Sequence, residues 1–170
     1  WKQVSGWGYS TAAVKTDGTL WTWGTNDNGQ LGNGNTTFYN SPIQVGLLTN
    51  WKQVATGGKF MVALKTDGTL WSWGGDGYGN VGNGTVNIYY SSPVQIGSMT
   101  NWLSVSAGNG AAAIKTDGTL WVWGYNGYGG LGNGTVNVHY SSPIQIGALT
   151  NWKQVSPGAY HTAAIQTDGT

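Results

Sequence analysis

The chain has 170 residues, a net charge of +1 and only 8% charged residues, with no Arg, Glu or Cys; ordinary globular proteins are about 25% charged. Lysines placed singly make no basic stripe, which excludes nucleic acid as the main partner, and the missing cysteines exclude a disulfide framework or a thiolate metal site. No signal peptide, membrane-spanning run or amphipathic membrane helix is visible, so membrane insertion is not expected.

Trp1 to Ser5 reads as a short strand. Thr11–Lys15 and Thr19–Trp23 then flank Thr16-Asp17-Gly18, and two β-prone runs around Asp-Gly predict a hairpin, because Gly supplies the positive φ of the turn. Trp21 and Trp23 share one strand face with Leu20 on the other, so the strand is expected to be covered on both faces, with the Trp-x-Trp pairs in the core. Gly24–Gly34 is a Gly/Asn loop, 35–40 is variable, and Ser41–Val45 is a further strand with Pro42 at an edge position.

The pattern then starts again. Trp1, Trp51, Trp102 and Trp152 open successive copies, and Asp17, Asp67, Asp117 and Asp168 mark their turns, a period of roughly 50 residues. The copies divide the chain into 1–50, 51–101, 102–151 and a partial 152–170, all expected to be parts of one domain. Short strands at this spacing, without helical periodicity, predict an all-β propeller with four-stranded blades rather than a solenoid, whose repeats are usually shorter.

The motifs resemble a known family. Val155-Ser156 followed by Gly158-x-x-His161-Thr162-Ala163-Ala164-Ile165-x-Thr167-Asp168-Gly169 resembles the opening half of the RCC1 (regulator of chromosome condensation) repeat. Leu20-Trp21-x-Trp23-Gly24-x-Asn26-x-x-Gly29-Gln30-Leu31-Gly32-x-Gly34, followed by Ser41-Pro42, resembles the rest. The resemblance implies an RCC1-like β-propeller, here about three and a half blades of a ring that commonly has seven. Such a number does not close a ring, so the segment is expected to belong to a longer array of the same repeat; a ring of two chains would still lack half a blade. The copies depart from the family at Ser10 and Phe60, where the fourth has His161, and at Asp76, where the first and third have Asn26 and Asn126. These changes are expected to weaken the local network of single blades.

Little in the chain suggests catalysis. Neither histidine falls in a repeated constellation with Asp and Ser: His161 reads as a blade residue and His139 as a loop residue replacing Tyr89. Four of the six aspartates belong to turns. Asn26-Asp27-Asn28-Gly29 lacks the alternating oxygens and distal Glu of a calcium loop, and the Gly/Tyr runs lack the Lys-Ser/Thr and helix of a phosphate loop. No enzyme activity, metal or cofactor is therefore expected. Asn35, Asn83 and Asn133 match the N-glycosylation pattern, which repetition in an Asn-rich chain explains.

Binding is the better lead, and the positions that vary between near-identical copies are where blade geometry imposes nothing. One group is Trp7 and Tyr9, Lys59 and Phe60, Asn109, then Tyr160 and His161; a second is Phe38 and Tyr39, Ile88 and Tyr89, Val138 and His139. Tyr78 and Tyr128 stand at equivalent places in glycine runs. Aromatics among Asn, Ser and Gly make adaptable recognition surfaces and stack on sugars; packing between blades is the alternative. The expected function is a non-catalytic structural, adhesive or binding module on a cell surface, extracellular filament or virion fibre. A protein-binding propeller acting as an enzyme inhibitor or exchange factor, or a glycan-binding, lectin-like propeller, stays open beside it. The partners expected are a protein or surface glycan and further copies of the repeat.

Overall fold

The computed structural model describes residues 1–170 and contains strands, turns and bends only. The first sheet is a meander of β1 (Gln3–Trp7), β2 (Ser10–Val14), β3 (Leu20–Gly24) and β4 (Tyr39–Gln44). The second follows with β5 (Trp51–Thr56), β6 (Phe60–Lys65), β7 (Leu70–Gly75) and β8 (Tyr89–Gln95). The third has β9 (Trp102–Ala107), β10 (Gly110–Lys115), β11 (Leu120–Gly124) and β12 (Tyr140–Gln145), and β13 (Trp152–Pro157) pairs with β14 (Thr162–Gln166) in a two-stranded fourth. Every pairing is antiparallel, and the four sheets are successive blades of a partial β-propeller.

The Thr-Asp-Gly hairpin forms, but not as a two-residue turn. Val14 pairs with Leu20, so residues 15–19 make the loop, and only Gly18 has a positive φ, of 79°. A Cβ on Gly18 would also run into the Thr49 carbonyl, so the position excludes any side chain. The Asp17 carboxylate closes the turn by accepting the Thr19 N–H at 3.0 Å and the Thr19 hydroxyl at 2.7 Å. Thr19 Oγ1 in turn accepts the indole N–H of Trp21 at 2.8 Å. The same relay runs through Asp67, Thr69 and Trp71 and through Asp117, Thr119 and Trp121. Hydrogen bonds from the threonine hydroxyls hold these three carboxyls below the usual carboxylate range.

The apolar cores lie between sheets. Leu20 and Leu31 of the first cluster with Trp51, Met61 and Trp73 of the second, and Phe60 and Leu64 of the second cluster with Trp102 and Trp123 of the third. The second tryptophan of each later Trp-x-Trp pair reaches back across the gap: Trp73 donates its indole N–H to Gln30 O at 2.9 Å, and Trp123 donates to Asn80 O at 3.0 Å. Their rings lie over Gly32 and Gly82, where a Cβ would overlap them. The first tryptophan of each pair is not core. Trp21, Trp71 and Trp121 are half-buried, as is Trp23; Trp71 and Trp121 pack against the edges of the core clusters, and the ammonium of Lys15, Lys65 or Lys115 lies over the first ring of each pair, 3.6–3.7 Å from its centroid.

The first strands of the sheets stand side by side, joined by a side-chain clamp. Gln3 donates to Val54 O at 2.8 Å and accepts the Val54 N–H at 3.0 Å; Gln53 does the same to Val105, at 2.9 and 3.2 Å. The third copy has Ser104 at this place, too short to span the gap. Gln53→Ala is expected to lower stability by about 1–2 kcal/mol, since two hydrogen bonds to main chain are lost. Ser104→Gln is expected to raise it, and urea unfolding midpoints check both.

Candidate functional site

The blades present two edges. One carries the Thr-Asp-Gly turns against the linkers at 46–50, 97–101 and 147–151, with the main-chain N–H groups of Trp51, Trp102 and Trp152 donating to Gly18 O, Gly68 O and Gly118 O. The opposite edge carries the short turns after β1, β5, β9 and β13 and the long loops at 25–38, 76–88 and 125–139. A buried side chain organises each long loop. Asn26 Oδ1 accepts the Leu31 N–H at 2.8 Å, while its amide nitrogen donates to the carbonyls of Asn35 at 2.9 Å and Thr37 at 3.0 Å. Asn126 repeats this with Leu131, Thr135 and Val138. These centres let loops of little apolar content hold one shape.

Within the loop edge lies an open cleft of about 460 Å³, lined by residues of all four sheets and their loops. Gly58, Gly75 and Gly77 are among its lining residues, and a Cβ on Gly75 would come to 3.2 Å from Lys59 Cβ and 3.4 Å from Asn28 Cβ. The long loops supply Tyr78, Tyr125 and Tyr128, β8 supplies Tyr89 as its first residue, and the turn after β13 supplies Tyr160. The rings brace one another edge to face: Tyr78 on Tyr125 at 4.9 Å between centroids and Tyr128 on Tyr160 at 4.7 Å. His139 stacks on Tyr125 at 5.3 Å, and its Nδ1 accepts the Asn126 N–H at 2.9 Å, so it pins the rim. Lys59, Asn28, Asn80 and Asn109 add polar groups, and no carboxylate lines the cleft. Burial, then the neighbouring phenols of Tyr128, Tyr78 and Tyr160, push the Tyr125 hydroxyl above the usual phenol range, so it remains a donor.

The residues singled out by sequence scatter instructively. Lys59, Asn109 and Tyr160, with Tyr78, Tyr89 and Tyr128, meet in the cleft, and Tyr78 and Tyr128 are 48% and 67% exposed. Tyr9 and Phe38 are exposed but outside it, Trp7 is half-buried on β1, and Tyr39 is half-buried against the core between the first and second sheets. Phe60 is no surface residue: at 0% exposure it fills the space over Gly57, where the next sheet covers it. His161 takes the equivalent place over Gly158 but stays exposed. In the first three sheets the short turn thus offers an exposed or half-buried residue (Tyr9, Lys59, Asn109) followed by a buried one (Ser10, Phe60, Gly110), whereas Tyr160 and His161 of the fourth are both exposed. Sequence reasoning missed Tyr125, Asn28 and Asn80. Comparing copies offered the signal for Tyr125, since Thr25 and Gly75 stand at its place.

A propeller of this repeat is a class of its own, and the sequence match defines which. The family model described as "Regulator of chromosome condensation (RCC1) repeat" matches residues 17–64, 67–114 and 117–165, and a second model of the repeat matches 2–30 and 51–80. The chain belongs to the RCC1 repeat family. Each longer match starts at a turn aspartate and ends in or next to the second strand of the following sheet, so the sequence repeat straddles two blades.

Among solved structures the chain is similar to human WBSCR16, at 25% identity with a TM-score of 0.86 over 98% of this chain and 45% of that one. It is similar to Prp20p from Saccharomyces cerevisiae, at 20% identity and a TM-score of 0.83 over 95% of this chain and 42% of that one, in a study of its binding to Gsp1p and histones. A further match is yeast RCC1 (Prp20) bound to Kap60, at 21% identity and a TM-score of 0.81, covering 98% and 41%. The chain spans less than half the length of these relatives. Comparison with curated proteins gives no match.

Proposed function

We propose that the chain is part of a non-catalytic binding propeller that holds a protein partner in the tyrosine cleft, in an adhesive role at a cell surface or on a virion. The cleft carries this reading: tyrosines and asparagines that the first copy largely lacks converge on one hollow with a single lysine, and although Tyr78 and Tyr128 pack across blades on Tyr125 and Tyr160, they keep 48% and 67% of their surface exposed. Tyr supplies large contact area with few rotatable bonds, and Asn supplies adaptable hydrogen bonding. The relatives whose structures are described with protein partners support a protein before other ligands. The low charge and the Gly/Asn/Ser/Thr/Tyr bias support the extracellular setting.

A glycan is the second reading, favoured by one observation: Tyr78 and Tyr128 expose ring surface from equivalent positions of successive copies. Peptide-display selection and glycan-array binding on the wild-type chain separate the two. Tyr78→Ala with Tyr128→Ala is expected to weaken the true ligand about 30-fold or more, since a central aromatic anchor is worth about 2 kcal/mol or more. Ligands that bind the double variant as well as wild type would remove the cleft from the account.

A further inference from the structure

We propose that Asp76 is carried as a neutral carboxylic acid at neutral pH, its hydroxyl standing in for the amide of Asn26 and Asn126, so that alkali loosens the loop that carries one wall of the cleft. The three copies of this site differ in the protons they can supply. In the third copy the Asn126 amide nitrogen lies 3.0–3.3 Å from four oxygens: Asn133 Oδ1, Thr135 O, Thr135 Oγ1 and Val138 O. The amide donates to the Thr135 hydroxyl, which donates onward to Asn133 Oδ1 at 2.8 Å. In the first copy the Asn26 nitrogen likewise faces oxygens only, at 2.9–3.4 Å.

In the second copy Asp76 is 0% exposed, and its Oδ1 keeps the acceptor role, taking the Val81 N–H at 2.9 Å. Oδ2 takes the place of the amide nitrogen, 2.8 Å from Thr85 Oγ1. Thr85 Oγ1 is also 2.6 Å from Asn83 Oδ1 and 3.2 Å from the Tyr90 hydroxyl. Thr85 has one proton and cannot donate to both acceptors at these distances. With Asp76 ionised, one short oxygen–oxygen contact is left without a hydrogen. With Asp76 protonated, Oδ2–H donates to Thr85, Thr85 donates to Asn83, and the relay of the third copy is restored.

The surroundings favour the neutral form. Burial pushes the Asp76 carboxyl above the usual range, outweighing the bonds from Val81 and Thr85, and no charged group contributes. The titratable groups around it are Tyr89 and Tyr90 on β8, Tyr78 on its own loop, Tyr125 and His139 of the third sheet against Tyr78, and Lys59 on the turn beyond Gly75. None pairs with it. The sign is opposite to that of the turn aspartates. Their depressed values contribute stability that is lost as pH falls through them, whereas the raised value of Asp76 contributes stability that is full below about pH 4 and lost as pH rises through it. Tyr78 and Asn80 ride on the Asp76 loop, which leads into Tyr89 at the start of β8 and is tied by Asn87 N–H to Asp76 O at 2.7 Å. Only the effect on ligand binding rests on the binding reading of the cleft; the proton does not.

Infrared spectra of the full chain with isotope-labelled aspartate test the proton directly, with no ligand present. Wild type is expected to show a protonated-carboxyl carbonyl band at neutral pH that Asp76→Asn lacks, and Asn126→Asp is expected to add a second such band. The urea midpoint of Asp76→Asn is expected to lose the decline that the wild type shows as pH rises, and the protection of the Val81 and Asn87 amides, taken relative to the intrinsic exchange rate at each pH, to stop falling with alkali. A wild-type spectrum with ionised carboxylates only would overturn the proposal. So would stabilisation by calcium seen in wild type and not in Asp76→Asn, because it would mean that an ionised Asp76 holds a cation.

Discussion

Trp73→Ala is expected to lower the stability of the chain by about 3–5 kcal/mol, a large part of the roughly 5–15 kcal/mol that holds a domain together. The ring is 0% exposed and belongs to the core shared by the first and second sheets. Its loss opens a cavity between blades, leaves Gln30 O without its donor, and uncovers Gly32. Denaturant unfolding followed by circular dichroism gives the size of the effect, and hydrogen exchange gives its place. Loss of protection is expected first in β2, β3, β6 and β7, which face this contact. Trp73→Phe should recover part of the packing and none of the hydrogen bond.

Gly82→Ala is expected to cost about 1–3 kcal/mol more than Gly132→Ala, although the two positions are equivalent in successive copies. Both have left-handed backbone, with φ of 80° and 72°, so the strain of the methyl group is common to the pair. Only at Gly82 does a Cβ overlap the Trp123 ring; at Gly132 nothing lies within 4 Å. The difference between the two variants, read from urea midpoints, isolates the contact of tryptophan on glycine backbone that joins one blade to the next.

Much of the fold was legible because repetition multiplies weak signals. One Thr-Asp-Gly between β-prone runs suggests a hairpin; the same turn returning with Leu-Trp-x-Trp after it fixes a blade. The hydroxyl relay from Trp21 through Thr19 to Asp17 was not visible, since it depends on a five-residue loop rather than a two-residue turn. The direction of the short-turn residues was also beyond reach. Lys59 and Phe60 are neighbours in a hairpin, and a shift of one residue sends a side chain to the other face; Lys59 reached the cleft and Phe60 the core.

The candidate site was half legible for a related reason. Variation between copies marked Tyr89 and Tyr160, and equivalent places in the glycine runs marked Tyr78 and Tyr128; the structure gathers all four into one hollow. Tyr125 escaped because its counterparts Thr25 and Gly75 are small and looked like loop filler. Asp76, read as a weak point, keeps the Val81 bond of its asparagine counterparts, so its difference lies in the proton and not in the loop's path.

Calorimetric titration of a ligand selected on the wild-type chain, compared between variants at the two edges, tests the cleft most directly. Tyr128→Ala alters the loop edge, and Leu47→Ser with Leu149→Ser alters the exposed apolar residues of the turn edge, where Leu47 is 91% exposed. The account predicts that Tyr128→Ala abolishes or strongly weakens binding while the leucine variant binds as wild type does. Loss of binding in the leucine variant, with Tyr128→Ala unaffected, would place the functional surface on the opposite edge and contradict the assignment of the tyrosine cleft.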